Sequence, residues 1–350
     1  MILDSTSKLV FHYEKLNELF TTGKTHPVHI TLGLTNYCNH KCTWCYIDYA
    51  KDIKHQINAD LDKMLDALVI AKEYGAKSIT IVGDGEPTLH PKFDIFLEKI
   101  HSLGYDIGLF TNGAWKKEKI TNAIANYCRY VRFSADAADK ETHKITHLTN
   151  DFELVLDNIR KVTERKTNTL TIGVQFAFNQ DNIHDIKNAA IVYGKLGVDY
   201  LAYKPVYTNS LNASHKENSV ESEQTYKMLT EAKEYETDSF KIYWKDWQLD
   251  ALVYNKDASR GYDKCRAIWL SPYFDENGNV EFCGNLKGRG FTIGNIYEKS
   301  FDKIWMSDLH LEKVNNINLD KCPKGCKLHG NNLKLEEIAN PNPNKHINFI

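Results

Sequence analysis

Three thiols fall within eight residues in the stretch Cys38-Asn39-His40-Lys41-Cys42-Thr43-Trp44-Cys45, which follows an apolar, β-branched run at 29–35. Such a run, bounded by turn residues, is typical of a strand, and three thiolates on one short loop are typical of a metal site. Because no fourth cysteine is near, the loop could ligate three irons of a cubane cluster and leave the fourth iron open for a ligand. The spacing alone also allows a zinc site completed by His40.

The sequence around this loop alternates between strand and helix patterns. The predicted strands are 29–35, 78–83, 106–112, 130–136, 170–178 and 200–206, and the predicted helices are 60–74, 92–103, 116–127, 151–164 and 182–196. Six such strands in a row predict a parallel sheet with its helices outside, and right-handed crossovers curl that sheet into an open barrel. The fold class is therefore α/β, a partial (β/α)6 TIM-like barrel, in which sites form beyond the carboxyl ends of the strands.

The composition excludes several classes of protein. The chain has 350 residues and a formal net charge of −2, so no bulk charge points to nucleic acid or to a membrane surface. Its apolar runs are too short to span a bilayer, and the N-terminus shows no secretory signal. We therefore expect a cytoplasmic protein with no nucleic-acid or membrane partner. Stable disulfides are rare in that compartment, which favours metal ligation for most of the eight cysteines.

Four short motifs together resemble those of the radical S-adenosylmethionine (AdoMet) enzymes, the radical SAM family. Cys-x3-Cys-x-aromatic-Cys after the first strand looks like the family's signature. Gly-Asp-Gly-Glu-Pro at 83–87 follows the second strand and is similar to the family's Gly-Gly-Glu-Pro motif, from which it departs at Asp84. Thr-Asn-Gly at 111–113 and Ser-Ala-Asp at 134–136 close the third and fourth strands. All four motifs therefore lie at strand carboxyl ends.

The resemblance, which covers residues 29–206, implies a chemistry and a set of cofactor contacts. In this family AdoMet chelates the open iron of a 4Fe–4S cluster, and an electron from that cluster cleaves AdoMet to a 5′-deoxyadenosyl radical that takes a hydrogen atom from the substrate. By resemblance, Cys38, Cys42 and Cys45 would hold this cluster. The residues expected to contact AdoMet are Trp44, Gly83, Gly85, Glu86, Pro87, Asn112, Ser134, Asp136 and Gln175. Ordinary roles stay open for Trp44 as a core aromatic, and for Ser134 and Asn112 as turn residues.

Four further cysteines form a C-terminal group, and Asn277-Gly278 gives a hairpin signal between the first two. They are Cys265, Cys283, Cys322 and Cys326. Four thiolates suit a tetrahedral zinc ion or a 4Fe–4S cluster, and spacing does not separate the two. The arrangement resembles the SPASM/twitch-type auxiliary module of some radical AdoMet enzymes, which implies one fully ligated auxiliary 4Fe–4S cluster. The eighth cysteine, Cys128, begins the fourth strand and is expected to be a buried structural thiol.

These patterns predict five segments along the chain. The stretch 208–219 is rich in Asn and Ser, as linkers are, and the strands become short after residue 241. The predicted segments are an N-terminal extension at 1–28, the barrel at 29–207, a linker and helix at 208–240, a small α+β auxiliary-cluster module at 241–335 and a tail at 336–350.

The expected reaction is hydrogen-atom abstraction followed by two-electron oxidation, because a fully ligated second cluster could carry an electron at a distance. The expected substrate is a small molecule of sugar, polyol or amino-sugar type, and the resemblance implies a flavodoxin or ferredoxin-type electron donor. A peptide- or protein-modifying maturase, an epimerase and a zinc-binding scaffold stay open as alternatives. Lys204 and Tyr203 are the candidate catalytic residues. A lysine in a closed cavity can have a lowered pKa and act as a base, although a solvated lysine is an equally ordinary role.

Overall fold

The computed structural model describes residues 5–48, 55–206, 220–254, 260–342 and 344. Its strands are β1 (His29–Leu32), β2 (Ser78–Ile81), β3 (Asp106–Thr111), β4 (Cys128–Ser134), β5 (Thr171–Phe178), β6 (Tyr200–Pro205), β7 (Lys241–Tyr243), β8 (Tyr273–Phe274), β9 (Asn279–Glu281) and β10 (Gly294–Asn295). Its α-helices are α1 (Tyr13–Thr22), α2 (Leu61–Glu73), α3 (Phe93–Ser102), α4 (Glu118–Tyr127), α5 (Lys140–His147), α6 (Phe152–Glu164), α7 (Ile186–Lys195), α8 (Ser222–Lys233), α9 (Asp246–Leu252), α10 (Phe301–Ile304), α11 (Asp308–Asn315) and α12 (His329–Ala339). The predicted linker at 208–219 and parts of the predicted extension and tail, 1–4 and 345–350, lie outside the described residues.

The ten described strands form one sheet in the order β10-β9-β8-β1-β2-β3-β4-β5-β6-β7. From β1 to β7 the strands are parallel neighbours in chain order, which confirms the predicted α/β class with a partial barrel. The seventh parallel strand, β7, adds to the six that the sequence predicted, and it pairs with β6. It lies in the stretch that the sequence analysis assigned to the auxiliary module, so the barrel sheet continues past residue 240. The segment boundaries stay predictions.

Alternation along the strands decides which side chains face the helices and which face the inside of the barrel. In β4, Val131 and Phe133 are fully buried, whereas Arg132 and Ser134 between and beyond them are half-buried. Successive side chains of a strand point to opposite faces of the sheet. The half-buried set therefore lines the inner face, and the fully buried set packs under the helices.

The helices cover the outer face of the sheet with apolar stripes. On α6 the buried apolar residues are Phe152, Val155, Ile159 and Val162, at the three- to four-residue spacing of one helix face. α2 begins after Asp60, whose side chain accepts a hydrogen bond from the Lys63 N–H at 3.2 Å. Within the described part of the chain, no helix is both long enough and apolar enough to cross a membrane.

The C-terminal strands extend the same sheet on its other side. β8 pairs in parallel with β1, and β9 returns antiparallel to β8. Gly278 in the connecting turn has a φ of +82°, a left-handed conformation that favours glycine. The predicted Asn277-Gly278 hairpin is thus confirmed. Because β8 neighbours β1, the C-terminal hairpin lies beside the strand that leads into the first cysteine loop.

Candidate active site

The loop that carries the three N-terminal cysteines leaves the carboxyl end of β1 and is bonded to the loop after β2. The Gly85 N–H donates to the Thr35 carbonyl at 2.9 Å, and the Glu86 N–H donates to the Tyr37 carbonyl at 2.8 Å. All three thiols are half-buried. The cysteine loop and the Gly-Asp-Gly-Glu-Pro loop are therefore one structural unit.

Gly85 allows these two loops to cross closely, and Gly83 allows the loop after β2 to approach its own backbone. A Cβ atom at Gly85 would lie 2.0 Å from the Tyr37 carbonyl oxygen, and one at Gly83 would lie 2.7 Å from the Gly85 carbonyl oxygen. Neither approach leaves room for any side chain. Besides the expected approach of AdoMet, the structure thus gives each glycine a second reason, which is the contact between the two loops at Gly85 and the contact within the loop after β2 at Gly83.

The Glu86 carboxylate is buried and receives four hydrogen bonds. Its Oε1 accepts from the Thr88 N–H at 3.1 Å, from the Thr88 hydroxyl at 2.7 Å and from the Thr111 hydroxyl at 2.7 Å. Its Oε2 accepts from the Asn112 N–H at 2.7 Å. A buried carboxylate needs such donors. The side chain joins the loop after β2 to the end of β3, so a contact of residue 86 with AdoMet would come from its backbone. Pro87 opens the short 3-10 helix that follows.

Asn112 makes a turn contact and also links β3 to the cysteine loop, while its expected contact with AdoMet stays a prediction. Its Oδ1 accepts from the Ala114 N–H at 2.9 Å, which is a local turn contact. Its Nδ2 donates to Asn39 Oδ1 at 2.8 Å and lies 3.9 Å from Cys38 Sγ. The end of β3 is thereby fixed to the cysteine loop.

The ends of β4 and β5 bring three of the predicted contacts to the same end of the barrel, where they meet Trp44 of the cysteine loop. Ser134 is the register partner of Gln175, and both are half-buried on the inner face. Asp136 follows β4, and its Oδ1 accepts from the Ala177 N–H at 2.6 Å. Burial raises the pKa of Asp136 to about 7, opposed by that hydrogen bond and by one to Trp44. Trp44 of the cysteine loop is therefore held against the end of β4.

The two predicted catalytic residues fall on opposite faces of β6. Lys204 is half-buried on the inner face. Burial lowers the pKa of Lys204 to about 7, and the positive charges of Arg132, Lys245 and Lys327 contribute to this shift. Tyr203 is buried on the outer face, where its hydroxyl donates to the Ile186 carbonyl of α7 at 2.5 Å. A residue next to Lys204 in a strand must face away from it, so Tyr203 is not retained as a catalytic candidate.

The four C-terminal cysteines come together from distant parts of the sequence. Burial and the three neighbouring thiols of this group raise the pKa of Cys265 strongly. Asn332 Nδ2 donates to Cys265 Sγ at 3.2 Å, and Asn285 Nδ2 lies 3.9 Å from Cys326 Sγ. Four converging thiols with amide donors directed at sulfur fit a thiolate-bound iron–sulfur cluster.

Asp84, where the chain departs from the glycine of the family motif, has a buried cationic partner. It forms an ion pair with Lys287 of the C-terminal part and accepts from the Tyr273 hydroxyl at 3.0 Å. Lys287 Nζ also lies 3.3 Å from Asp275 Oδ2 and 3.3 Å from Glu276 Oε1. Burial, then the Asp84 charge, raises the pKa of Glu276 to about 8. The acidic substitution in the motif therefore joins the loop after β2 to the C-terminal part.

A buried histidine cluster also meets the cysteine loop, and the sequence analysis did not predict it. His143 and His147 lie on α5, one turn apart, and both are buried against His40. Their spacing of four residues would place both on one helix face. Residues 140–147 are too polar for the sequence pattern to predict this helix.

Comparison with known families decides the identity of the site. The family model described as the radical SAM superfamily matches residues 32–190. The model of the SPASM iron-sulfur cluster-binding domain matches residues 265–327. This chain carries a radical SAM domain followed by a SPASM domain. As a radical SAM enzyme with a SPASM domain it binds AdoMet and 4Fe–4S clusters, which confirms the predicted family and cofactors and excludes the zinc scaffold.

Three known proteins are similar to this radical SAM enzyme in sequence or in structure. The antilisterial bacteriocin subtilosin biosynthesis protein AlbA of Bacillus subtilis (strain 168) is 23% identical over 323 residues, 87% of this chain and 68% of AlbA. The sporulation killing factor maturation protein SkfB of the same strain is 23% identical, covering 79% of this chain and 64% of SkfB. Streptococcus suis SuiB, in its structure bound to the precursor peptide SuiA, has a TM-score of 0.70 and 15% identity, covering 96% of this chain and 79% of SuiB. At that identity the structural match shows a shared fold.

The Glu86→Gln substitution tests whether the buried carboxylate organises this end of the barrel. The amide nitrogen of glutamine donates and cannot accept, so at least one of the four donors would lose its acceptor. We expect the free energy of unfolding to fall by about 1–3 kcal/mol, and AdoMet to bind several-fold more weakly. Denaturant unfolding and titration calorimetry of the anaerobically reconstituted protein measure the two effects.

The matched control is Glu98→Gln on the exposed side of α3. It removes the same charge without touching the cofactor end and should change neither quantity. Equal effects of the two substitutions would show that Glu86 has no special role.

Proposed function

We propose that this radical SAM enzyme modifies a residue of a peptide or protein substrate. The observation that carries the proposal is the similarity to AlbA and SkfB, whose names refer to bacteriocin biosynthesis and killing-factor maturation, over 87% and 79% of this chain. The fold shared with SuiB, solved with a precursor peptide, agrees with it. The sugar-type substrate that the sequence analysis favoured finds no support among these relatives, whereas its peptide alternative does.

In this proposal the two cysteine groups hold two clusters. Cys38, Cys42 and Cys45 hold the cluster that binds AdoMet, and the four C-terminal cysteines hold one auxiliary cluster. When bound, AdoMet and the clusters supply hydrogen-atom abstraction and electron transfer. The chain positions AdoMet with the backbone of 83–87 and the strand-end residues Asn112, Ser134 and Gln175, while Asp136 fixes Trp44. A flavodoxin or ferredoxin-type protein is the proposed electron donor, as the family resemblance implies.

Lys204 is the proposed base for the reaction. Loss of a hydrogen atom and an electron from a substrate carbon leaves a proton that a base must take up. Lys204 lies on the inner face at the carboxyl end of β6, and its lowered pKa leaves a sizeable neutral fraction near neutral pH. The side chain thus combines the position and the protonation state that a base requires.

The positions of Cys128 and Tyr203, the two candidate hydrogen-atom donors, favour oxidation over epimerisation. An epimerase must return a hydrogen atom to the substrate, and a thiol is a good source. Cys128, the cysteine outside both groups, is buried at the amino end of β4, and burial raises its pKa to about 12. Tyr203 faces the helices. Cys128 therefore lies at the end of the barrel opposite the cofactor, and the Tyr203 hydroxyl points away from the inside of the barrel.

Replacing Cys38, Cys42 and Cys45 together with alanine tests the cluster assignment. The reconstituted wild-type enzyme should hold about eight irons, as two cubanes, and the variant about half of that. Reductive AdoMet cleavage should vanish in the variant, because no open iron is left to bind AdoMet. Iron analysis and chromatographic detection of 5′-deoxyadenosine measure both. The Cys128→Ala variant is the control and should keep its iron, and cleavage that persists in the triple variant would refute the assignment.

Deuterium transfer tests the substrate class. The reduced enzyme is incubated with AdoMet and with a library of deuterated peptides, and in parallel with deuterated sugars and amino sugars. We expect deuterium in 5′-deoxyadenosine from a peptide, together with a peptide product that has lost two hydrogen atoms. Transfer from a sugar and from no peptide would reverse the proposal.

The Lys204→Met variant tests the proposed base. It keeps the length of the side chain but cannot accept a proton. We expect normal iron content and normal AdoMet cleavage, and peptide modification reduced by about ten-fold or more, as is typical for loss of a general base. The exposed Lys99, which pairs with Asp62 at 3.2 Å on the outer helices, gives the control variant Lys99→Met. Unchanged peptide modification in Lys204→Met would exclude Lys204 as the base.

A further inference from the structure

The histidine cluster beside the cysteine loop begins with the way that α5 is placed. Asp139 caps this helix, its side chain accepting from the Thr142 N–H at 2.8 Å. The helix then presents His143 and His147 to the cysteine loop, with their rings stacked at 4.6 Å between centroids. All three histidines of the cluster, including His40 of the cysteine loop, are buried.

A chain of hydrogen bonds runs through this cluster. Asp151 Oδ2 lies 3.1 Å from His40 Nε2, and His40 Nδ1 lies 3.2 Å from His147 Nδ1. At the far end the backbone N–H of Asp136 donates to His147 Nε2 at 3.3 Å. Asp151 Oδ1 also lies 2.9 Å from His143 Nε2. The chain therefore connects α6, the cysteine loop, α5 and the end of β4.

These contacts indicate which nitrogen of each ring carries the proton. His147 Nε2 accepts from the Asp136 backbone N–H at 3.3 Å, and Asp136 Oδ2 lies slightly farther from the same nitrogen, at 3.4 Å. The shorter contact places the proton of a neutral His147 ring on Nδ1. His40 Nε2 donates to the carboxylate of Asp151, so Nδ1 of a neutral His40 ring is an acceptor. The two assignments agree, because one Nδ1 then donates to the other.

The same Nδ1 of His147 lies 3.2 Å from Cys42 Sγ. The N–H that the chain of bonds fixes on this atom is thus shared between the His40 nitrogen and the Cys42 sulfur. We propose that His147 donates a hydrogen bond to the sulfur of Cys42 and thereby raises the reduction potential of the AdoMet-binding cluster, with His40, Asp151 and the Asp136 backbone as positioning groups. Hydrogen bonds to cluster sulfurs stabilise the reduced, more negative cluster. This inference rests on the proposed assignment of Cys42 as a cluster ligand.

A metal ion bound between His40, Cys42 and His147 is the competing explanation, since their ligand atoms lie within 4.8 Å of one another. The geometry favours the hydrogen bond. All four ring nitrogens of His40 and His147 have partners other than Cys42 in a consistent donor–acceptor order, in which His147 Nδ1 is a donor. Cys42 also belongs to the three-cysteine loop.

The test compares the reduction potential of the AdoMet-binding cluster in two variants. His147→Leu removes the donor, whereas His147→Asn keeps an amide N–H at the position of Nδ1. The clusters are titrated potentiometrically and followed by electron paramagnetic resonance, reading the signal that changes when AdoMet is added. We expect a lower potential in His147→Leu and a potential near wild type in His147→Asn. The exposed His101 on α3 gives the control His101→Leu, which should leave the potential unchanged.

A second measurement does not need the His147→Leu variant. It tests the hydrogen bond from His147 to Cys42 even if His147→Leu fails to assemble its cluster. Protein labelled with ¹⁵N in its histidine rings should show a hyperfine coupling between the reduced AdoMet-binding cluster and one ring nitrogen, which disappears in His147→Asn. Neither measurement requires a peptide, so a negative result for the hydrogen bond is distinct from a negative result for the proposed peptide substrate. If AdoMet changes no signal of the enzyme, the assignment of the AdoMet-binding cluster is wrong instead. Four results would each overturn the proposal. The reduction potential could stay at the wild-type value in His147→Leu, or fall as far in His147→Asn as in His147→Leu. The wild-type enzyme could show no coupling to a histidine ring nitrogen, or it could contain stoichiometric zinc that is lost when His147 is substituted.

Discussion

The buried carboxylate of Glu86 is the interaction on which the cofactor end of this enzyme depends. It joins the loop after β2 to the end of β3 through four hydrogen bonds. The backbone beside it is bonded to the cysteine loop after β1. Three consecutive strand ends are thereby held as one unit, and Asn112 adds a second link between β3 and the cysteine loop. A loop of three cysteines alone would have no fixed direction; bonded in this way, it faces the inside of the barrel.

The sequence was sufficient for the parts of the fold that rest on local patterns. Alternating strands and helices predicted the parallel sheet, and the Asn277-Gly278 turn predicted the C-terminal hairpin, because both depend on periodicity and turn chemistry within a few residues. The motifs at strand ends then predicted which loops share one end of the barrel, since parallel strands place all their carboxyl ends together. The short strand β7 was not predicted as part of the barrel, because three residues, Lys241–Tyr243, are too few to show a period.

Other features depend on contacts between residues that are far apart in sequence. Asp84 is only a deviation from a motif until Lys287, from the other end of the chain, is seen to pair with it. The histidine cluster unites residues 40, 143, 147 and 151, and α5, which brings two of them, is too polar to show an apolar stripe. Tyr203 was misjudged because the one-residue alternation of β6 sends it to the opposite face from Lys204. The substrate class came from whole-chain similarity to AlbA and SkfB rather than from any single residue.

The central claim is that the two clusters have different roles. One cluster has an open iron that binds AdoMet, and the other is fully ligated by cysteines. Mössbauer spectroscopy of the ⁵⁷Fe-reconstituted enzyme, recorded with and without AdoMet, tests this claim directly because it resolves individual iron sites. The account predicts that AdoMet changes the spectrum of one iron among about eight, and leaves the others as they were. A spectrum in which AdoMet alters no iron, or alters irons of both clusters, would contradict it.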